Sequence, residues 1–309
     1  MELPTHTGTP GEFEARYLAF LETIRHLRPS LHRYCSRMTG SVLDGEDVVQ
    51  DALFHAYRKL DTFEDGRKLE PWLFRIAHNQ CIDFLRRRRV RRGAEAEAVV
   101  EEAVAPVEAT GHGVKRAIEH VVLALPPKER ACVLLKDVFD YSLEEIAELV
   151  DSTVGGVKAA LNRGRSKLAT LTSTGINTRR PADNTEATQL LALYVERFDR
   201  RDWDGLRELI SEDAQVRVAD RFRGPLAASP YFGRYERLTT AWRVALGTVD
   251  GERVAIVLRR DGIDWVPDSI ARIERSGDRI VGVADYKHCP WIFAAAASMT
   301  YVSHLPPAT

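Results

Sequence analysis

The chain has 309 residues, of which 44% are hydrophobic, and its formal net charge at pH 7 is -1. This length allows two or three domains with buried cores, and without a signal pattern or an apolar run long enough to cross a bilayer we expect a cytoplasmic protein. The cysteines Cys35, Cys81, Cys132 and Cys289 are far apart and form no CxxC pair, which predicts free buried thiols in a reducing compartment and argues against a zinc site.

Residues 12–92 are predicted to form a compact helical bundle. Apolar residues recur at helical spacing in residues 13–27, 31–38 and 48–60. A further helix is expected from Pro71, because proline suits the first position of a helix. Its predicted core-facing residues are Leu73, Ile76, Ala77, Gln80, Cys81 and Phe84.

The opposite side of this helix is predicted to bind nucleic acid. Trp72, Arg75 and Asn79 precede a dense run of arginines, whose mutual repulsion is relieved when phosphates lie against them. The alternative is a solvated helix end, where cations suit the negative end of the helix dipole. The candidate DNA-binding residues of this segment are Trp72, Arg75, Asn79, Arg86, Arg87, Arg88 and Arg89.

An acidic connector is expected at residues 93–112, and helical periodicity resumes over residues 113–171. Ser142 and Glu145 have the spacing of a capping box, so a helix is predicted to start at Leu143. A second helix follows from Thr153 after a tight turn, as in a helix-turn-helix, although such hairpins also occur in proteins that do not bind DNA. Its candidate DNA-binding residues, with the turn, are Ser152, Thr153, Lys158, Asn162, Arg163 and Arg165.

Beyond a second connector at residues 172–185, residues 186–293 are predicted to form an α+β domain, followed by a tail at residues 294–309. Helical stretches at 186–200 and 203–210 precede alternating segments at 215–219, 253–258, 269–274 and 279–286. Residues 276–278 suit a hairpin turn, because Gly277 tolerates a positive φ. Candidate polar groups are Asp220, Asp264, Asp285 and His288, and candidate pocket walls are Tyr231, Trp242, Trp265 and Tyr286.

The first two segments resemble an extracytoplasmic-function (ECF) RNA polymerase sigma factor of the sigma-70 family over residues 12–171. The resemblance rests on the acidic stretch of residues 44–53 and on the positions Trp72, Leu73, Ile76, Ala77, Asn79, Asp83 and Arg86. It implies a region 2 helical bundle in which Asp47, Gln50 and Asp51 bind core RNA polymerase. It also implies that residues 62–69 form the loop that captures a flipped promoter base.

Residues 125–130 and 157–165 resemble region 4 of the same family, the domain that reads the minus-thirty-five element. Gly164 stands where the family has alanine. Together with Gly155 and Gly156 it is expected to loosen the recognition helix, since an exposed interior glycine costs roughly 1 kcal/mol relative to alanine.

The C-terminal third resembles a SnoaL-like domain, a cone of curved sheet and helices, in the pattern of residues 194–206 and 209–213. Three interpretations remain open. In the first, the chain is a multidomain sigma factor with two all-α domains and an α+β SnoaL-like cone that contacts the sigma domains and adjusts their activity. The others are a freestanding helix-turn-helix regulator and a SnoaL-like isomerase or cyclase.

The first interpretation predicts a protein that is not an enzyme and carries no metal or cofactor. Its partners are core RNA polymerase and promoter DNA. The possible ligand pocket is formed by Tyr231, Trp242, Trp265, Asp285 and His288. In the enzyme interpretation, Asp285 and His288 form an acid/base pair, whereas in the alternative they end a strand near the surface.

Overall fold

The computed structural model describes residues 10–60, 63, 68–95, 122–174, 185–219 and 222–301. The chain divides into two compact units, Met1–Arg180 and Pro181–Thr309. The described part of the first unit is helical, and that of the second combines helices with one sheet. The expected fold class is therefore confirmed. Most of the two expected connectors lies outside the described residues, so the domain limits drawn there remain predictions.

The first unit is built from helices of very different length. Residues 13–27 and 31–38 belong to a single long helix that continues through Pro29, although proline removes one main-chain hydrogen bond. The expected helix at Pro71 begins earlier, at Leu69. The elements are α1 (Pro10–Thr39), α2 (Val42–Arg58), α3 (Leu69–Glu95), a 3-10 turn (Val122–Ala124), α4 (Pro127–Val133), a π-helical turn (Leu134–Val138), α5 (Leu143–Leu149) and α6 (Val154–Thr174).

The helices on either side of the expected acidic connector share one hydrophobic core. Leu73 and Cys81 of α3 belong to the same buried cluster as Leu135 and Ile146 of the later segment. The ring of Phe74 lies 5.7 Å from that of Phe139 and 5.5 Å from that of Tyr141, measured between ring centroids. Periodicity alone placed Phe74 outside the core stripe. Its burial follows from this second set of neighbours, which local sequence does not reveal.

A glycine at the end of α1 allows the two segments to pack closely there. Gly40 ends α1 with a φ of +86°, a conformation that favours glycine. A Cβ atom at Gly40 would lie 3.3 Å from Cδ2 of Leu123 in the 3-10 turn. A side chain at Gly40 would therefore strain the backbone and push on the second segment.

The second unit is a seven-stranded mixed sheet with helices packed on it. The strand order is β2-β1-β6-β5-β4-β3-β7, in which β1 and β6 are parallel and the other pairs are antiparallel. The elements are α7 (Thr185–Asp199), α8 (Trp203–Leu209), β1 (Ile210–Val218), β2 (Phe222–Pro225), α9 (Tyr231–Glu236), β3 (Trp242–Val249), β4 (Glu252–Asp261), β5 (Asp264–Ser276), β6 (Arg279–Asp285), α10 (Trp291–Ala295) and β7 (Met299–Tyr301).

Aromatic side chains of the helices fill the core of the second unit. Phe198 of α7 lies 4.9 Å from Tyr235 of α9 and 5.6 Å from Trp242 of β3, between ring centroids. These rings pack against Val216 and Val283 of the sheet. Such edge-to-face aromatic pairs add to the stabilisation from buried apolar area.

Two details of the second unit bear on the sequence expectations. The hairpin predicted at residues 276–278 is confirmed, since β5 and β6 meet there and Gly277 has a φ of +61°. The expected tail at residues 294–309 contributes a strand, β7, which pairs with the edge strand β3. A three-residue strand has too little alternation to be recognised from sequence.

Within the described residues, no helix has both the length and the apolar character needed to span a membrane. The same part of the chain contains no cluster of three or more His, Cys, Asp or Glu side chains that would suit a metal ion. All four cysteines are buried free thiols, as predicted.

Candidate nucleic-acid interface

The polar face of α3 is exposed where the sequence places it. Arg75 and Asn79 are exposed, whereas Leu73 and Ala77 are buried. Trp72 is half-buried at the start of this face, and its ring lies 4.8 Å from that of Phe63. The rest of the expected base-capturing loop, apart from Phe63, Lys68 and Leu69, lies outside the described residues.

His78 lies on the buried side of α3 and was not among the predicted core residues. Its Nδ1 is 2.8 Å from the hydroxyl of buried Tyr34 in α1. Burial lowers the pKa of His78 to about 4, so the imidazole is neutral near pH 7. His78 therefore joins α3 to α1 and adds no charge to the nucleic-acid surface.

The arginine run does not face one direction. Arg87 and Arg89 are exposed, and Arg86 is exposed with an ion pair of 3.0 Å to Asp83. Arg88 turns inward, where it donates a 3.1 Å hydrogen bond to the Thr39 carbonyl at the end of α1 and lies 3.8 Å from Asp44. Arg88 thus anchors α3 to the turn between α1 and α2.

The expected polymerase-binding side chains lie on α2. Asp51 is exposed, and Asp47 and Gln50 are half-buried. Gln50 donates a 3.3 Å hydrogen bond to Glu46, whose buried carboxylate also accepts from Arg28. A buried ion pair between Arg28 and Glu46 therefore lies under the acidic face and is joined to it through Gln50.

Two exposed aromatic residues, which were not predicted from the sequence, lie beside this acidic face. Phe54 is 65% exposed and Tyr57 is 49% exposed. Phe54 follows Asp47 and Asp51 by seven and three positions, so the three side chains share one side of α2. A large exposed apolar residue next to acidic ones is a signal for a partner surface, but it appears only when burial is known.

The helix-turn-helix forms as predicted. Glu145 N–H donates to Ser142 Oγ at 3.1 Å, and the Ser142 N–H donates to the Glu145 carboxylate at 2.8 Å, which completes the capping box. Thr153 accepts a 3.1 Å hydrogen bond from the Gly156 N–H at the start of α6. Thr153, Lys158 and Asn162 are exposed, and Ser152 is half-buried.

The cations in the second half of α6 are held by carboxylates of the preceding segment. Arg163 Nε and Lys167 Nζ lie 2.9 Å and 2.8 Å from the two oxygens of Glu129. Arg165 donates to Asp137 through Nε at 3.1 Å and also through one terminal nitrogen. Neither carboxylate was singled out from sequence, because both are distant from α6 along the chain.

Gly164 packs differently from the sequence expectation. It is buried, and a Cβ atom there would lie 2.9 Å from Cγ2 of Val133 and 3.5 Å from Cδ1 of Leu125. Gly164 therefore permits close packing of α6 on α4, so the premise of an exposed glycine is wrong at this position. Gly155 is exposed, as that premise requires, and Gly156 is half-buried.

Two family models cover these surfaces: Sigma-70 region 2 matches residues 23–91, and Sigma-70, region 4 matches residues 115–168. The ECF RNA polymerase sigma factor SigW of Bacillus subtilis is 33% identical over 162 residues, which cover 48% of this chain and 87% of SigW. This chain belongs to the ECF sigma factor family. The expected resemblance over the first two segments is confirmed.

The match to a second relative covers more of this sigma factor. ECF RNA polymerase sigma factor SigG of Mycobacterium tuberculosis is 31% identical over 213 residues, which cover 60% of this chain and 58% of SigG. The chain thus spans a little over half the length of that relative. Among solved structures, it is similar to the M. tuberculosis ECF sigma factor SigJ, with 17% identity, a TM-score of 0.35, and coverage of 90% of this chain and 99% of SigJ.

Outside the regions matched by the two models, the sigma factor carries Asp285 at the end of β6. The carboxylate is buried and accepts hydrogen bonds from Tyr235 Oη at 2.8 Å, Arg234 at 3.2 Å, Ser269 Oγ at 2.5 Å and the Lys287 N–H at 2.9 Å. Burial and the nearby Asp285 carboxylate raise the pKa of Tyr235, which keeps its hydroxyl a neutral donor. Asp285 thus joins α9 to the sheet.

The expected pocket residues do not all meet at Asp285. Tyr231 and Trp242 are buried in the same core, and each ring lies within 6 Å of that of Tyr235. Trp265 lies on β5 with the Arg260 guanidinium 5.9 Å from its ring centroid, and His288 is exposed. Asp264 is exposed beside a hairpin turn, and Asp220 lies outside the described residues. The acid/base pairing of Asp285 with His288 therefore gains no support.

Proposed function

We propose that this sigma factor binds core RNA polymerase, recognises promoter DNA and directs the start of transcription. The observation that supports this most is the pair of exposed polar surfaces on α3 and α6, each carried by a segment that matches a sigma-70 model. Both surfaces combine cations with hydrogen-bonding groups, the combination that nucleic-acid recognition requires.

On α3, we propose that Trp72, Arg75 and Asn79 face the bases. The exposed arginines that follow hold the phosphate backbone, because charge without a fixed donor geometry gives affinity more than sequence preference. Arg88 contributes less than the others, because its guanidinium is bound to the Thr39 carbonyl and its side chain is half-buried. The proposed backbone-binding residues are Arg86, Arg87, Arg88 and Arg89.

On α6, the proposed reading residues lie at the helix start and along its exposed side. Thr153 caps the first turn through the Gly156 N–H, and the positive end of the helix dipole there favours an anionic partner. Arginine and asparagine side chains recognise guanine and adenine edges in the major groove through paired hydrogen bonds. The proposed residues are Ser152, Thr153, Lys158, Asn162, Arg163 and Arg165.

On α2, we propose a polymerase-docking surface formed by Asp47, Gln50 and Asp51 with Phe54 and Tyr57 beside them. The acidic groups favour a basic partner surface and accelerate encounter, whereas the exposed aromatic rings supply the apolar area that stabilises the complex. An acidic helix alone would be an ordinary solvated face. The adjoining aromatic rings are what distinguish this surface.

A polymerase-dependent binding experiment separates this proposal from a freestanding regulator. Duplex DNA is enriched from a random library by the full-length chain, once alone and once with core polymerase, and binding is measured over a salt series. A sigma factor selects one sequence motif only with polymerase. Selection of the same motif by the chain alone, with a steep salt dependence, would instead support a freestanding regulator.

For the second unit, we propose a regulatory role through contact with the sigma helices rather than catalysis. The Asp285 carboxylate is occupied by four donors, which supports a structural role for the residue that had been the best acid/base candidate. When the second unit is docked, it biases which arrangements of the helical segments polymerase meets. Transcript yields from the full chain and from residues 1–180 test this role, and equal yields would remove it.

A further inference from the structure

Three cations of α6 are bound by two carboxylates of the preceding segment. Glu129 contacts Arg163 and Lys167, and Asp137 contacts Arg165. The carboxylate of Glu129 is buried, whereas about half of each cationic side chain remains exposed. The Glu129 carboxylate therefore lies beneath its two cations, whereas Asp137 is itself exposed beside Arg165, and all three cations still reach solvent.

Both carboxylates belong to residues in helical elements that are packed or hydrogen-bonded. Glu129 lies in the first turn of α4, and α4 packs closely on α6 at Gly164. Asp137 lies in the π-helical turn that follows, where the Phe139 N–H donates to the Leu134 carbonyl at 3.1 Å. π-Helical turns are uncommon and are frequently found at functional sites.

The hydrogen bonds leave donors available on the arginines. Arg163 uses Nε for Glu129, and more than half of its side chain remains exposed. Arg165 uses Nε and one terminal nitrogen for Asp137, which leaves the other terminal nitrogen. A guanidinium has five N–H donors in a rigid fork, so fixing one edge also fixes the direction of the other.

We propose that Glu129 and Asp137 are positioning residues for DNA sequence recognition. They hold the guanidinium groups of Arg163 and Arg165 in one orientation, so that these arginines discriminate between sequences instead of only attracting phosphate. This inference rests on the proposed DNA-binding function of α6. The physical reason is that an arginine held by a supporting hydrogen bond loses little freedom on binding, whereas a free one loses most of its rotamers.

Two other roles for these carboxylates predict different behaviour. If the ion pairs only attach α6 to α4, removing them lowers stability and weakens binding to all DNA equally. If the carboxylates compete with DNA for the cations, removing them strengthens binding to all DNA. Only the positioning role predicts that removing a carboxylate weakens binding to the preferred sequence and not to unrelated DNA. Binding to unrelated DNA stays equal or becomes stronger, because one negative charge is removed.

The test compares Asp137→Asn, Glu129→Gln and Glu148→Gln in the full-length chain with core polymerase. Glu148 is an exposed carboxylate on α5, so its variant removes the same charge without touching Arg163 or Arg165. Each protein is titrated with a duplex that the wild-type complex enriches from a random library and with a scrambled duplex of the same composition. Melting temperatures are recorded in parallel.

We expect Asp137→Asn to lower the ratio of preferred to scrambled affinity at least about five-fold, the lower end of what a bidentate base contact contributes. Glu129→Gln acts in the same direction, and Glu148→Gln changes both affinities together. An unchanged ratio for Asp137→Asn overturns the inference. The inference is also overturned if the affinities for the preferred and scrambled duplexes fall equally while the melting temperature drops. It is overturned as well if both affinities rise equally and by more than they do in Glu148→Gln.

An Arg165→Lys background tests whether Asp137 acts through Arg165. Lysine keeps the charge and lacks the fork, so adding Asp137→Asn to this background produces no further loss of discrimination. A further loss of the same size contradicts positioning. If the wild-type complex prefers no sequence, the proposed function itself fails, whereas a discriminating wild type with unchanged variants rejects only this inference.

Discussion

Arg130, in α4, donates a hydrogen bond from its guanidinium to the main-chain carbonyl of Met38, near the end of α1 and 92 residues earlier. Its other terminal nitrogen donates to the carbonyls of Leu123 and Leu125. Burial lowers the pKa of Arg130 to about 10, which leaves it protonated at neutral pH. One buried cation thus joins the two helical segments and satisfies a carbonyl that the helix end leaves without a partner.

Replacing Arg130 with glutamine is expected to destabilise the first unit by about 2 kcal/mol, the usual contribution of hydrogen bonds to a charged group. Hydrogen exchange of main-chain amides in α1 and α4 measures the effect, and both helices lose protection together. Arg89→Gln removes an exposed arginine and serves as the matched control. Equal protection in the two variants contradicts the joining role of Arg130.

Two glycines of α6 are expected to respond in opposite ways to alanine. Gly155→Ala stabilises the helix by up to about 1 kcal/mol, because the site is exposed and its nearest atom is Thr153 Oγ1 at 4.0 Å. Gly164→Ala destabilises, because its Cβ would lie 2.9 Å from Cγ2 of Val133. Thermal unfolding of the full chain checks both, and a stabilised Gly164→Ala would contradict the close packing of α6 on α4.

The ion pairs of Glu129 predict acid sensitivity of the helix-turn-helix. Lys167 and Arg163 lower the pKa of Glu129 in the folded state. A carboxyl group with a lowered folded-state pKa stabilises the fold above its unfolded pKa of about 4.3, and this contribution is lost as the pH falls through the folded value. The stability difference between wild type and Glu129→Gln, measured by urea unfolding, is therefore present at pH 7 and shrinks below about pH 4. A difference that grows on acidification would contradict it.

Phe54 is expected to strengthen polymerase binding without supporting the fold. Because the Phe54 side chain is 65% exposed, Phe54→Ala changes the free energy of unfolding by no more than about 0.5 kcal/mol. Affinity for core polymerase falls at least about five-fold, as for the weaker interface hot spots. Ile263→Ala, at an 87% exposed apolar residue of the second unit, is the control. Equal polymerase affinity of the two variants would remove Phe54 from the docking surface.

The sequence predicted local features well and distant contacts poorly. The capping box of Ser142 and the turn at Gly277 were recognised because each depends on residues that are neighbours in the chain. The inward turn of Arg88 was missed, because its acceptor, the Thr39 carbonyl, lies 49 positions away. Glu129 and Asp137 were missed for the same reason, since their partners lie on a different helix.

Periodicity also underestimates burial wherever a helix has two neighbours. Phe74 lies outside the single stripe that helical spacing defines on α3, and it is buried because Phe139 and Tyr141 cover that side. The hydrogen bonds of Asp285 were likewise beyond prediction, since its donors come from α9, β5 and the chain after β6. Fold class followed from pattern, whereas the surroundings of each polar group required the assembled fold.

The most direct measurement is run-off transcription from the enriched promoter duplex with core RNA polymerase, with and without the full-length chain. We expect a transcript of defined start only when both are present, and its loss when Asp47 and Asp51 of the proposed docking surface are replaced by lysine. Lys replacements at the exposed residues Glu212 and Asp213 of the second unit retain the transcript. The absence of a defined transcript with the wild-type chain would contradict its proposed role as an initiation factor.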